Sequence, residues 1–131
     1  GCLVPRPLVT YADPERMAVD HLTADLDGED CTVGVGVPAD WTTASYPHVQ
    51  VACDGTPIDG HPVVQKPTIR VVVWAASPTT AKRLAHLAHG LLLARLPYRP
   101  LTGLLPGHDD GHDAELSSFT VRAHVRSIPI D

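Results

Sequence analysis

Long apolar runs are missing from this 131-residue chain. No stretch approaches the roughly 20 residues that cross a bilayer as a helix, so no membrane partner is expected. The opening Gly1-Cys2-Leu3-Val4-Pro5-Arg6-Pro7 breaks its short apolar stretch with prolines and does not read as a secretory signal. Cysteine is scarce: Cys2, Cys31 and Cys53 are odd in number and never fall as CxxC. That excludes a disulfide scaffold and reads as buried or free thiols in a reducing compartment. Basic charge is short, with 10 Lys+Arg against 15 Asp+Glu and a net charge of −5. A general binder of nucleic acid or acidic membranes needs the opposite sign. Aromatic residues are only 5%. Among the strand residues Arg70, Trp74, Arg122 and Arg126, which could form an RNA-reading face, Trp74 alone is aromatic and no RNP signature occurs, which disfavours that reading. No HExxH, GxSxG, GK[ST] or GxGxxG signature occurs.

What is present suits one folded domain over residues 1–131. Apolar residues reach 44% and charged residues 19%, outside the range of intrinsic disorder. Charge is unevenly placed. Residues 1–65 carry Arg6 and Arg16 against ten acids (−8), and residues 66–131 carry eight bases against five acids (+3). Opposite poles of this kind favour head-to-tail contacts between copies, which close into rings when the rotation allows.

Residues 1–12 read as an extended arm. Asp13 and Pro14 open a helix as N-cap and first position, and Val19, Leu22 and Leu26 give it an apolar stripe. Alternation marks strands over 31–37, 48–53, 68–75 and 118–126. The glycines of Gly34-Val35-Gly36 signal a bulge or the close approach of another backbone. Ser77-Pro78 opens a second helix with Ala81, Leu84, Ala85, Ala88, Leu91 and Leu92 on one side, and Lys82, His86 and His89 on the other. Residues 38–47 read as a loop with two exposed aromatics, 54–67 as a long loop, and 100–116 as loop. The expected fold is α+β in the order α-β-β-β-α-β. It has two layers, with a mixed, mostly antiparallel four-stranded sheet and both helices on one face. The opposite face then carries His48, Gln50, Arg70, Val72, Trp74, Thr120, Arg122, His124 and Arg126, and is either wet or covered by a partner.

Metal chemistry has one foothold, His108-Asp109-Asp110-Gly111-His112-Asp113, whose residue types ligate zinc or non-haem iron. A metal-dependent enzyme using His108, His112 and Asp113 is therefore one alternative. A loop without a rigid second shell favours a solvated or docking segment instead. No cofactor and no catalytic residue is expected. Trp and Arg are enriched as interface anchors, which makes Trp41, Tyr46, Arg70, Trp74, His108, Asp109, Asp110, His112, Asp113, Arg122 and Arg126 the candidate interface residues.

Four segments carry a family resemblance across roughly residues 13–126. They are Asp13-Pro14-Glu15-Arg16, Pro38-Ala39-Asp40 followed by Pro47-His48-Val49-Gln50-Val51, the strand Ile69–Ser77 running into Ala81-Lys82-Arg83-Leu84-Ala85, and Ser118-Phe119-Thr120-Val121-Arg122-Ala123. Together they resemble the tail terminator proteins of long-tailed actinobacterial phages. The resemblance implies a structural virion protein assembled in the host cytoplasm and placed at the tail–neck junction. There a hexameric ring caps the tail tube protein, ends its polymerisation and meets head-completion proteins. Genomic DNA passes through the lumen without sequence-specific binding, and the protein is no enzyme. The His108–Asp113 loop is longer and richer in His and Asp than that group's pattern. Another head–tail connector or head-completion protein is the nearest alternative.

Overall fold

The computed structural model describes residues 8–11, 13–54, 58–59, 64–65 and 67–130. In chain order these form β1 (Leu8–Tyr11), α1 (Pro14–Asp25), β2 (Thr32–Gly34), β3 (His48–Cys53), β4 (Ile58–Asp59), β5 (Val64–Gln65), β6 (Thr68–Ala75), α2 (Pro78–Leu93), β7 (Tyr98–Pro100), β8 (Leu105–Asp109), β9 (Ala114–Ala123) and β10 (Val125–Ile130). Both helices start where local chemistry dictates. The Asp13 carboxylate accepts from the backbone N–H groups of Glu15 (3.0 Å) and Arg16 (3.3 Å), and the Ser77 hydroxyl accepts from Thr80 N–H (3.2 Å). Proline then occupies the first turn of each helix, where its missing N–H costs nothing.

The fold is α+β, with a six-stranded mixed open sheet in the order β2-β3-β6-β9-β7 and β8 also paired to β9. β2 runs parallel to β3, and the other pairings are antiparallel. Val49, Val51, Ile69, Val71, Val73, Phe119 and Val121 form one buried cluster with Val19, Leu22, Leu84, Ala85, Ala88 and Leu92 of the helices. Each large side chain in it contributes roughly 1.5–3 kcal/mol of transfer free energy. The small residues Ala81, Ala85 and Ala88 let α2 lie close on β6 and β9.

The sheet exceeds the expected four strands. β7 and β8 lie in or next to the stretch read as loop, because Pro100, Pro106 and Gly107 look like loop residues. Both strands pair β9 along its outer margin, and an edge strand tolerates proline. β9 begins at Ala114, since it matches the whole length of β6. The chain pauses at His124 before β10.

Within the supposed arm, Leu8–Tyr11 pairs antiparallel with Ser127–Ile130. A second, four-stranded sheet, β1-β10-β5-β4, thus joins the two ends of the chain to the 54–67 segment. No local pattern announces a pairing between segments so far apart in sequence. Cys2 lies outside the described residues. Cys31 and Cys53 are half-buried rather than fully enclosed, and burial pushes the Cys31 thiol pKa up.

Candidate interface on the open face of the sheet

Alternation along β3, β6 and β9 sends one set of side chains to the helices and the other to the uncovered face. Register then fixes which residues share a row. His48 lies beside Trp74 and Leu116, Gln50 beside Val72 and Ser118, and Ala52 beside Arg70 and Thr120. Thr68 and Arg99 flank Arg122.

An aromatic cluster occupies one end. The rings of Trp41 and Trp74 lie 5.9 Å apart, and His112 stands 5.3 Å from Trp74 and 6.1 Å from Trp41, all edge to face. This arrangement matches the ring quadrupoles. Trp74 Nε1 donates to Gln50 Oε1 (3.0 Å) and Trp41 Nε1 to the Tyr46 carbonyl (2.9 Å). Both aromatics of the 38–47 loop were expected to be exposed. Trp41 is instead 5% exposed and Tyr46 65%, because only Trp41 finds rings to pack on.

His112 is held over the tryptophans by Asp109, whose carboxylate accepts from its Nδ1 (2.7 Å) and its backbone N–H (2.9 Å). These bonds hold the Asp109 carboxyl below its usual pKa. The neighbouring His108 faces Glu115 (3.1 Å), Asp110 (3.4 Å) and Asp113 (3.5 Å). Among the described residues, no three His, Cys, Asp or Glu are grouped to hold a metal ion.

Trp41, Trp74, Asp109 and His112 therefore come together, with Tyr46 at their rim and His108, Asp110 and Asp113 in the adjoining turn. Arg70 and Arg122 sit at the other end of the face. The side chain of Arg126 lies outside the described residues.

No protein-family model matches the chain, and no curated protein matches it.

The burial of His48, whose place on this face was expected, and the presence of Arg99 there escaped sequence reasoning. His48 is only 2% exposed. Its Nε2–H donates to the Gly36 carbonyl, and its Nδ1 accepts from the Thr32 hydroxyl (2.7 Å). Burial lowers its pKa, and the neutral ring is fully satisfied. A Cβ on Gly34 would stand 3.5 Å from His48 Cε1 and 3.7 Å from the Gly36 carbonyl oxygen, both ordinary van der Waals distances, so Gly34-Val35-Gly36 marks a bend packed on the His48 ring rather than an approach that only glycine allows. This explains why β2 stops at Gly34: the chain bends over His48 and delivers Trp41 to Trp74. Arg99 is the second omission, hidden because Tyr98-Arg99-Pro100 is too short to show alternation.

His89 also departs from expectation. It leaves the polar stripe of Lys82 and His86 to pack against Phe119, with ring centroids 4.8 Å apart, and its buried Nε2 has no hydrogen-bond partner.

Proposed function

We propose that the protein is a structural virion component, a tail terminator that assembles as a hexameric ring on the tail tube. The observation that carries this reading is the one-sided sheet. Helices cover one face, and the described part of the other presents Arg70, Arg99 and Arg122 beside the Trp41–Trp74–His112 cluster. These residue types dominate interface energetics. The sequence resemblance supplies the identity of the assembly, and the geometry supplies a face suited to protein contact. A net charge of −5 suits a lumen through which DNA slides, because a basic lining would retain phosphates. In this reading the protein performs no chemistry. It acts by occupying the end of the tube and offering a new surface to the head-completion protein.

Co-expression with the tail tube protein tests the proposal. Electron micrographs should show tubes bearing a ring at one end and no longer elongating when further tube subunits are added. Tubes that keep growing, with none of this chain at their tips, would overturn it.

A further inference from the structure

We infer that the two ends of the open face are complementary halves of a contact between copies of this chain. In this contact, the acidic turn Asp110–Asp113 of one copy docks on the arginines Arg99 and Arg122 of the next. The inference rests on the ring reading only for its closure; the contact itself follows from charge and position.

At the arginine end, Arg99 and Arg122 are directly paired across β7 and β9, and both are exposed. Like charges directly opposite one another destabilise a sheet unless an anion lies between or over them. Arg70 stands diagonally across β6, and Asp54 offsets its charge at 3.2 Å. No acid offsets the other two within the described residues: Arg99 donates to the carbonyls of Leu96 (3.0 Å) and Tyr98 (3.2 Å), and Arg122 makes no ion pair or side-chain hydrogen bond with any described residue.

At the other end, the side chains of Asp110 and Asp113 are 101% and 94% exposed, and the imidazole of His108 stands 3.4 and 3.5 Å from them. Asp109 and Glu115 add acidity beside them, already engaged by His112 and His108.

β9 separates the two ends by about 25 Å at roughly 3.3 Å per residue. Physiological salt screens charges beyond about 8 Å, so one end cannot neutralise the other within a single chain. A second copy placed head to tail brings acid and arginine together, and each copy keeps one free end of each sign. Contacts of this heterologous kind propagate, and close into a ring when the rotation between copies allows.

Two charge-reversed proteins test this: R99E/R122E, and D110K/D113K. All four positions are exposed, and circular dichroism and urea midpoints check that each variant folds. Sedimentation velocity at low salt should show the unaltered chain associating and each variant alone weakened by about tenfold or more. An equimolar mixture of the two should associate again, because the glutamates of one then face the lysines of the other.

A wild-type chain that stays monomeric at low salt overturns the contact, as does undiminished assembly of either variant or failure of the mixture to recover. Binding of a single-stranded DNA oligonucleotide that is lost in R99E/R122E, with self-association intact, reassigns the arginines to phosphate. A ring built through these surfaces that ignores tube ends would overturn the capping role and leave the contact standing. Tube capping by either variant alone would do the reverse.

Discussion

Replacing His48 by alanine should destabilise the protein by about 3 kcal/mol at pH 7.5. Two hydrogen bonds are lost, to Thr32 and Gly36, each worth roughly 0.5–1.5 kcal/mol net. Removing the ring from a site that is 2% exposed adds a cavity term of about 1–2 kcal/mol. Urea unfolding followed by tryptophan fluorescence is the assay, because the segment that His48 ties down delivers Trp41 to Trp74. The pH dependence carries the sharper test. Burial places the folded-state pKa of His48 below its ordinary value of 6.5. Above pH 6.5 the ring is neutral both folded and unfolded, and its contribution is complete. As the pH falls below 6.5 the unfolded chain takes up a proton that the folded ring refuses. Stability then drops by up to about 1.4 kcal/mol per pH unit, until the folded pKa is passed. The gap between wild type and H48A should therefore narrow from pH 6.5 to pH 5. Part of the acid slope should survive in the variant, since burial also lowers the pKa values of His21 and His89. A destabilisation under about 1 kcal/mol at pH 7.5, or a gap that stays constant down to pH 5, would refute the idea that a neutral His48 ties β2 to β3.

At the alkaline end, Tyr98 is the group to watch. Burial raises its hydroxyl from 10.0 to about 12, so its contribution is complete below pH 10 and is lost as the pH climbs through about 12. At 1.36 kcal/mol per unit the loss approaches about 3 kcal/mol, and Tyr98→Phe should abolish that part of the alkaline slope in urea midpoints measured from pH 9 to pH 12. Asp113 adopts a left-handed backbone with φ 50°, a conformation that costs non-glycine residues free energy. Valine tolerates that region less well than Asp, so Asp113→Val should lower stability by about 1–2 kcal/mol, read as a lower thermal midpoint.

Strong local signals located the frame of the fold. β3 and β6 fall on the residues whose alternation defines them, and both helices open at Asp13-Pro14 and Ser77-Pro78. What escaped depends on partners distant in sequence. β8 is a strand only because β9 continues back to Ala114 and offers it a margin, and β1 exists as a strand through its pairing with β10. The candidate site was legible as a set of residue types but not as a geometry. Trp74 and Arg122 follow from alternation alone. That Trp41 folds over Trp74, and that His112 covers both, depends on the bend at Gly34–Gly36 and on the Asp109 hydrogen bonds. Neither has a periodicity to read.

The aromatic cluster gives the charge pattern its mechanical support. An acidic turn of fully flexible residues would lose conformational entropy on docking, and affinity would fall by that amount. Here His112 fixes the turn twice, by its bonds to Asp109 and by its ring against Trp41 and Trp74. Asp110 and Asp113 are thereby presented on a braced hairpin end rather than a free loop. A His112→Ala change should then weaken association between copies although it removes none of the acidic or arginine charges assigned to the contact. The same change should lower stability by about 1–2 kcal/mol, because it removes two ring contacts and the side-chain bond to Asp109, and circular dichroism checks that the variant still folds. Native mass spectrometry of H112A beside D110K/D113K separates bracing from charge: bracing predicts a partial loss that is insensitive to salt, and a loss that disappears as salt rises would assign the effect to charge instead.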